Sequence, residues 1–199
     1  VEFGEEGAVQ HGVERRRAPG KLRELEAVLE RDPLVAERAV LDLSDLFRAA
    51  LVAGEGQATL AEEVELSERY LAIEQLRLGE RLQVAWTRTE PLPWTLPMPR
   101  LVLQPLLENA VLHGISRLPE GGTVEIILEA DGELLRLGVR NPSLPPQQQL
   151  TRGAGHAQRS IGHRLAWAFG KRARMTSGWA EGYYVCTLDL PLGSEGARS

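Results

Sequence analysis

The feature that most restricts this chain is a pair of alternating runs hinged on Asp131-Gly132. Val124, Ile126 and Leu128 alternate with Glu125 and Glu129 before the hinge, and Leu135, Leu137 and Val139 alternate with Arg136 and Arg140 after it. Alternation of period two gives a strand one apolar face, and Asp-Gly favours a tight two-residue turn. The expected product is an antiparallel hairpin whose apolar face has to be covered. The flanking sequence supplies the cover. Thr59-Leu60-Ala61-Glu62 reads as a capping box, opening a helix striped by Leu60, Val64, Leu71 and Leu78, widened by Leu66, Tyr70 and Ile73, and ending at Gly79. Further helices are expected over about 99–113 and from about Ala157 to Phe169, and further strands over Leu82–Thr87, 172–177 and 183–190. Pro91, Pro93, Pro97 and Pro99 are expected to break regular structure ahead of the central helix. The element order describes an α/β (α+β) two-layer sandwich, a mixed sheet with helices on one face.

The N-terminal third reads differently. Residues 1–20 show no periodicity and contain Arg15-Arg16-Arg17-Ala18-Pro19-Gly20, which suits an irregular lead-in. From Lys21 the pattern is helical, with Leu22, Leu25, Val28 and Leu29 recurring up to Asp32-Pro33. Pro33 then suits the first turn of a second helix, striped by Ala36, Val40, Leu43 and Phe47. Two adjacent amphipathic helices suggest a hairpin, and apolar stripes on it suggest self-association. The domain boundaries expected are 1–20 lead-in, 21–55 helical dimerisation-type segment, 56–192 globular domain and 193–199 tail.

Bulk properties exclude several function classes. A net charge of −5 provides no basic field to draw nucleic acid. A single cysteine, Cys186, rules out an internal disulfide framework and cysteine-based zinc sites. No apolar run reaches the roughly 18 residues of a membrane-spanning helix, and the first residues lack the basic-then-apolar order of a signal peptide. Starting at Val1 rather than Met, the sequence is expected to be a fragment of a longer chain or to use an alternative start codon. There is no GxxxxGK[ST] phosphate loop.

Chemistry concentrates on the central helix. In Leu103-Gln104-Pro105-Leu106-Leu107-Glu108-Asn109-Ala110-Val111-Leu112-His113-Gly114, the helical repeat puts Gln104, Glu108, Asn109 and His113 in one half of the surface. A carboxamide oxygen is a hard neutral ligand suited to Mg²⁺ beside phosphate, and a neighbouring carboxylate can orient or deprotonate a nucleophile. The same spacing also fits a solvated helix face. The loop at 141–155, rich in Pro, Gln and Gly, suits a lid.

The segment "LQPLLENAVLHG" (103–114) resembles the N box of the ATP-binding domain shared by sensor histidine kinases, DNA gyrase B, Hsp90 and MutL. The upstream "LAEEVELSERYLAIEQLRLGERLQV" (60–84) looks like the helix and strand that precede that box in LytS/YehU-type bacterial sensor histidine kinases, with the AlgZ/FimS-like group the nearest variant. "LERDPLVAERAVLDLSDLFRAAL" (29–51) looks like the second helix of that family's dimerisation region. The resemblance runs from about 29 to 192. It implies a Bergerat-type ATP-binding fold, ATP and Mg²⁺ as cofactors, a homodimer, a response regulator as partner, and a cytoplasmic region of an inner-membrane protein, attached to the membrane only through residues absent from this chain.

Residue by residue, the resemblance makes Asn109 the Mg²⁺-binding asparagine, Glu108 the acidic residue that assists proton removal, and His113 a polar neighbour of the nucleotide. The family's adenine-reading aspartate falls on Asn141, where a neutral amide oxygen accepts in its place and Asn141→Asp is expected to strengthen binding. Gly153 and Gly155 fall on the lid glycines, and Ser160 stands where the following helix usually carries asparagine. The family's phosphoacceptor motif would fall near Arg16, but the sequence there is a run of arginines, and neither the flanks nor the register of His11 fit. No phosphoacceptor is therefore assigned, and His113, His156 and His163 lie in or beside the ATP-type domain. Two functions remain in view: the donor half of a two-component kinase, or a catalytically impaired module of the same family.

Overall fold

The structure is a computed structural model, and it describes residues 32–52, 56–145 and 154–193. The expected first helix of the hairpin, Gly153, and the proposed lead-in and tail lie outside those residues, save Gly193.

In chain order the described elements are α1 (Pro33–Val52), β1 (Gln57–Thr59), α2 (Leu60–Leu78), β2 (Leu82–Thr89), β3 (Pro97–Pro99), α3 (Gln104–Asn109), β4 (Gly122–Ala130), β5 (Leu134–Pro142), α4 (Ala154–Phe169), β6 (Arg174–Ala180) and β7 (Tyr183–Pro191). The alternating runs around Asp131-Gly132 form the β4–β5 hairpin at the centre of a five-stranded sheet ordered β2-β4-β5-β7-β6. β2 joins β4 in parallel and every other pairing in this sheet is antiparallel. Leu135, Leu137, Val139 and Asn141 of β5 face the helices, beside Val124, Ile126 and Leu128 of β4 and Cys186, Leu188 and Leu190 of β7, and all are buried. Leu60, Val64 and Leu71 of α2, Leu106, Leu107 and Val111 at α3, and Ile161 and Leu165 of α4 complete one core. The opposite face carries polar pairs instead, such as Arg140 bonded to Glu125 at 2.6 Å and stacked 3.5 Å from the Tyr183 ring centroid.

The capping box forms as read: the Glu62 amide donates to Thr59 Oγ1 at 3.2 Å, and the Thr59 amide donates to Glu62 Oε2 at 2.7 Å. Three expectations need correction. Pro97 and Pro99 do not abolish structure, because β3 pairs with β1 in a two-stranded antiparallel ribbon. Both strands of so small a ribbon are edges, where a missing N–H is tolerated. In α1 the inward face is Ala39 and Asp42, both buried, while Val40 is 59% exposed. The buried Asp42 carboxylate is paired with Arg38 at 3.4 Å, which lets an acid occupy the packed face.

The third correction concerns the central helix, which starts five residues later than the 99–113 reading. Leu101 adopts a left-handed conformation (φ 56°), so the chain cannot be helical there. Glu63 of α2 causes that bend. Its buried carboxylate accepts from the amides of Leu101, Val102 and Leu103 at 2.6, 2.8 and 3.1 Å. After Asn109 the helix widens into a π turn over Ala110–Gly114, a local expansion that often marks functional sites.

Candidate active site

The apolar side of α3 lies on the sheet, so its polar residues are divided between two surroundings. Gln104 Nε2 donates to Glu108 Oε1 at 2.9 Å, one turn apart on the side nearest α2. Tyr70 of α2 lies close to that pair. Burial, then the charges of Glu74 and Glu108, hold its phenol protonated well above the ordinary tyrosine range. Asn109 turns the other way, into a cleft against the sheet lined by Pro105, Leu106, Asn109, Val139, Asn141, Tyr184 and Cys186.

Two observations single out this cleft. The Asn109 Oδ1 and Asn141 Oδ1 atoms are both buried, and neither has a hydrogen-bond partner among the described residues. A buried carbonyl oxygen without a donor costs roughly 1–3 kcal/mol, so a pair of them marks a place where a ligand's donors or a cation would lower the energy. The second is placement. Asn141 closes the inward row of β5, in register with Tyr184 of β7, directly after Val139 in register with Cys186. The side chain is thus held by the sheet rather than by a loop.

The cleft is narrow as it stands, with about 10 Å³ open to water centres, room for one water. A purine ring therefore requires α3 and the rim to part. A larger cavity of about 260 Å³ lies elsewhere, between α2 and the turn at 100–101. Its lining acids are already committed: Glu62 to the capping box, Glu63 to three amides and Glu65 to Arg69 at 2.7 Å. Arg100, on the larger cavity, has one buried nitrogen without a partner among the described residues, whereas the smaller cleft holds two such oxygens, Asn109 Oδ1 and Asn141 Oδ1, and the candidate site is placed there on that ground.

The site residues read from the sequence are thus only partly gathered. Asn109 and Asn141 share the cleft. Glu108 does not line it; its side chain is engaged with Gln104. His113 sits half-buried in the π turn, outside the lining. Gly155 lies in the first turn of α4, and Ser160 is exposed on the same helix. Gly153 falls outside the described residues. Tyr184 and Cys186 line the cleft as well, and the sequence placed them only within the expected strand at 183–190. Burial pushes the Cys186 thiol up to about 12, so it is neutral and inert near pH 7.

Known proteins agree with this architecture. The family described as histidine kinase matches residues 21–82. Sensor histidine kinase BtsS of Escherichia coli (strain K12) is 35% identical over 176 residues, covering 87% of this chain and 31% of BtsS. Sensor protein LytS of Staphylococcus haemolyticus is 28% identical over 163 residues, covering 76% of this chain and 28% of LytS. The chain therefore spans about a third of the length of such relatives. Among solved structures, the catalytic domain of histidine kinase ThkA superposes with a TM-score of 0.51 at 17% identity, covering 69% of this chain and 98% of that domain. Full-length ShkA in complex with AMPPNP gives 0.51 at 23% identity, covering 91% of this chain and 41% of ShkA.

The fold is that of a histidine kinase catalytic domain, the Bergerat-type sandwich with its helices on one side of a mixed sheet. Within that class, the chain is a relative of the LytS-type sensor histidine kinases.

Proposed function

We propose that this chain is the ATP-binding catalytic region of a two-component sensor histidine kinase, transferring the γ-phosphoryl of ATP to a histidine and from there to a response regulator. The observation that carries the proposal is the pair of unpartnered, buried amide oxygens, Asn109 Oδ1 and Asn141 Oδ1, in a cleft on this fold. Asn109 would hold Mg²⁺, because a carboxamide oxygen is the hard neutral donor such an ion accepts beside phosphate oxygens. When bound, that ion would neutralise charge on the transferred phosphoryl. Asn141 would accept a hydrogen bond from the adenine amino group. Gly153, Gly155, His113 and Ser160 would lie along the phosphates, with the start of α4 presenting free backbone amides to anionic oxygens.

Glu108 would accept a proton from the attacking imidazole. Gln104 donates to Oε1 at 2.9 Å and so orients the carboxylate, whose second oxygen would take the proton. The apolar side chains of Leu34 and Leu41 on α1 are 77% and 54% exposed. They supply a face for a homodimer through the 21–55 segment. Among the described residues no helix is long and apolar enough to cross a membrane. Any attachment to the inner membrane would come from residues beyond this chain, leaving this region on the cytoplasmic side.

The arginine run where a phosphoacceptor would fall favours a second reading, a catalytically impaired dimerisation module of the same family. One calorimetric titration separates them. Micromolar binding of a non-hydrolysable ATP analogue that depends on Mg²⁺ supports the kinase reading, whereas no binding at millimolar analogue leaves the module.

A further inference from the structure

Gly114 ends the π turn after Asn109 and is buried against β5. A Cβ placed on it would stand 2.0 Å from Asn141 Nδ2, 3.1 Å from Asn141 Cγ and 2.9 Å from the carbonyl oxygen of Pro142. No side chain fits without moving the carboxamide or the backbone beside it. The same nitrogen is also tied down: Asn141 Nδ2 donates at 2.8 Å to the Pro142 carbonyl that the added Cβ would crowd. A carbonyl oxygen can only accept, so the group facing it must be the NH₂. That leaves Oδ1 turned the other way, buried, with no partner among the described residues.

We infer that Gly114 and the Pro142 carbonyl together lock the Asn141 carboxamide in one orientation, making Gly114 a positioning residue for the acceptor that reads the base. The inference rests on the nucleotide reading of the cleft and sharpens it. A locked Oδ1 is an acceptor only, so it pairs with a base edge that carries an amino group and is repelled by one that carries a carbonyl. A rotatable carboxamide would serve either by flipping. The lock therefore selects 6-amino over 6-oxo purines, with the selection lodged in a glycine that never touches the base.

The lock also cancels one sequence expectation. Asn141→Asp places an oxygen where Nδ2 now donates, 2.8 Å from another oxygen that cannot donate back. The carboxylate must rotate away, which loses the aligned acceptor, or take up a proton at the position of Nδ2, which keeps the acceptor but cancels the added charge. Asn141→Asp is thus expected not to strengthen adenine binding.

The test is titration of the full chain with adenosine diphosphate and inosine diphosphate, which differ at the 6-position, in the wild type and in Gly114→Ala, Asn141→Ser and the double variant. Expected in the wild type is a preference for the adenosine form of about tenfold or more, the scale of one mispaired buried polar group. Gly114→Ala should remove most of that preference, leave inosine diphosphate affinity within about twofold, and have no further effect once Asn141 is Ser. A preference kept in Gly114→Ala, or the same loss in the Asn141→Ser background, overturns the lock. Should Gly114→Ala fail to fold, Asn141→Asp decides: adenosine diphosphate binding no tighter than that of the wild type supports the lock, and tighter binding overturns it. Equal binding of both nucleotides by the wild type sinks the lock and spares the nucleotide site. Binding of neither sinks the reading of the site and the lock with it.

Discussion

Two regions of this protein bury polar groups, and they do so in opposite ways. Between α2 and the start of α3, the Glu63 carboxylate is buried to 2% exposure and takes three backbone amides, from Leu101, Val102 and Leu103. Burial raises its pKa and the three amides work against that rise, with Arg164 nearby adding to them. In the cleft between α3 and the sheet, Asn109 and Asn141 present oxygens that nothing in the described structure fills. The first arrangement is complete without a ligand and sets the backbone path into α3. The second is incomplete. Buried polar groups of the first kind hold the fold, and those of the second wait for something to bind.

The largest effect that could break this comparison is at Glu63. Glu63→Ala leaves three N–H groups, two of them in buried residues, without their acceptor, at roughly 1–3 kcal/mol for each buried one. The expected loss is about 2–6 kcal/mol, or a fall of roughly 5–20 °C in Tm for a domain of this size. Urea unfolding monitored by circular dichroism reads it directly. A loss below about 1 kcal/mol would show that Glu63 is no clamp and that the bend at Leu101 forms without it.

Asn109→Ala is the mirror experiment. Its oxygen has no partner to abandon, so stability should change by less than about 1 kcal/mol. Affinity for a Mg²⁺–ATP analogue should fall about ten- to a hundredfold, with a smaller loss when the ion is omitted. Calorimetric titration with and without Mg²⁺, beside a thermal melt, measures both. Unchanged affinity would remove Asn109 from the site. A large stability loss with unchanged affinity would move Asn109 into the class of Glu63.

How far the sequence could see depends on which of these two logics applied. The sheet was legible because its signal is local: alternation around Asp131-Gly132 is a property of neighbours, and β4–β5 form there. The capping box at Thr59 was legible for the same reason. The start of α3 was not, because the bend at Leu101 is set by a carboxylate 38 residues away in sequence. The inward face of α1 was misread for a related reason. An aspartate is accepted there because Arg38 and Arg69 stand 3.4 and 4.0 Å from its carboxylate. Within the cleft, the asparagines could be named from the N box and from the end of the hairpin. Glu108 was grouped with them by helical spacing, yet spacing cannot show that Gln104 holds it on the α2 side. Gly114 was inside the quoted motif, but its meaning lies in 2.0 Å of missing room beside a residue of another strand.

Cys186 sharpens the comparison at lower cost to the molecule. It lines the cleft between α3 and the sheet, and its burial pushes its pKa up to about 12. The folded value lies above the unfolded one, near 8.5. The stabilising contribution of the neutral thiol is therefore fully present below about pH 8.5 and is lost as pH rises toward 12. Alkylation by iodoacetamide at pH 8 should be at least about tenfold slower in the native chain than in urea, with the native rate rising as pH is raised. Equal rates in the two states would mean that the cleft floor is open to solvent.

The smallest change is expected at Ser67. Ser67 of α2 is also fully buried, and its Oγ also lacks a partner among the described residues. Unlike the two cleft oxygens, it lines neither of the cavities described above. An unpartnered hydroxyl in a packed core is a cost with no use attached, and alanine is the better helix former. Ser67→Ala is therefore expected to raise stability by about 0.5–1 kcal/mol and to leave nucleotide affinity unchanged. If it destabilised the chain instead, a partner for Oγ would have to exist, and an empty hydrogen-bond position would lose its value as a sign of a binding site. If it stabilised the chain as expected, a missing hydrogen-bond partner would mean a plain cost at Ser67 and a binding position at the two asparagines, with the cleft beside the asparagines making the difference. The assignment of Asn109 and Asn141 would then rest on that cleft as much as on their oxygens.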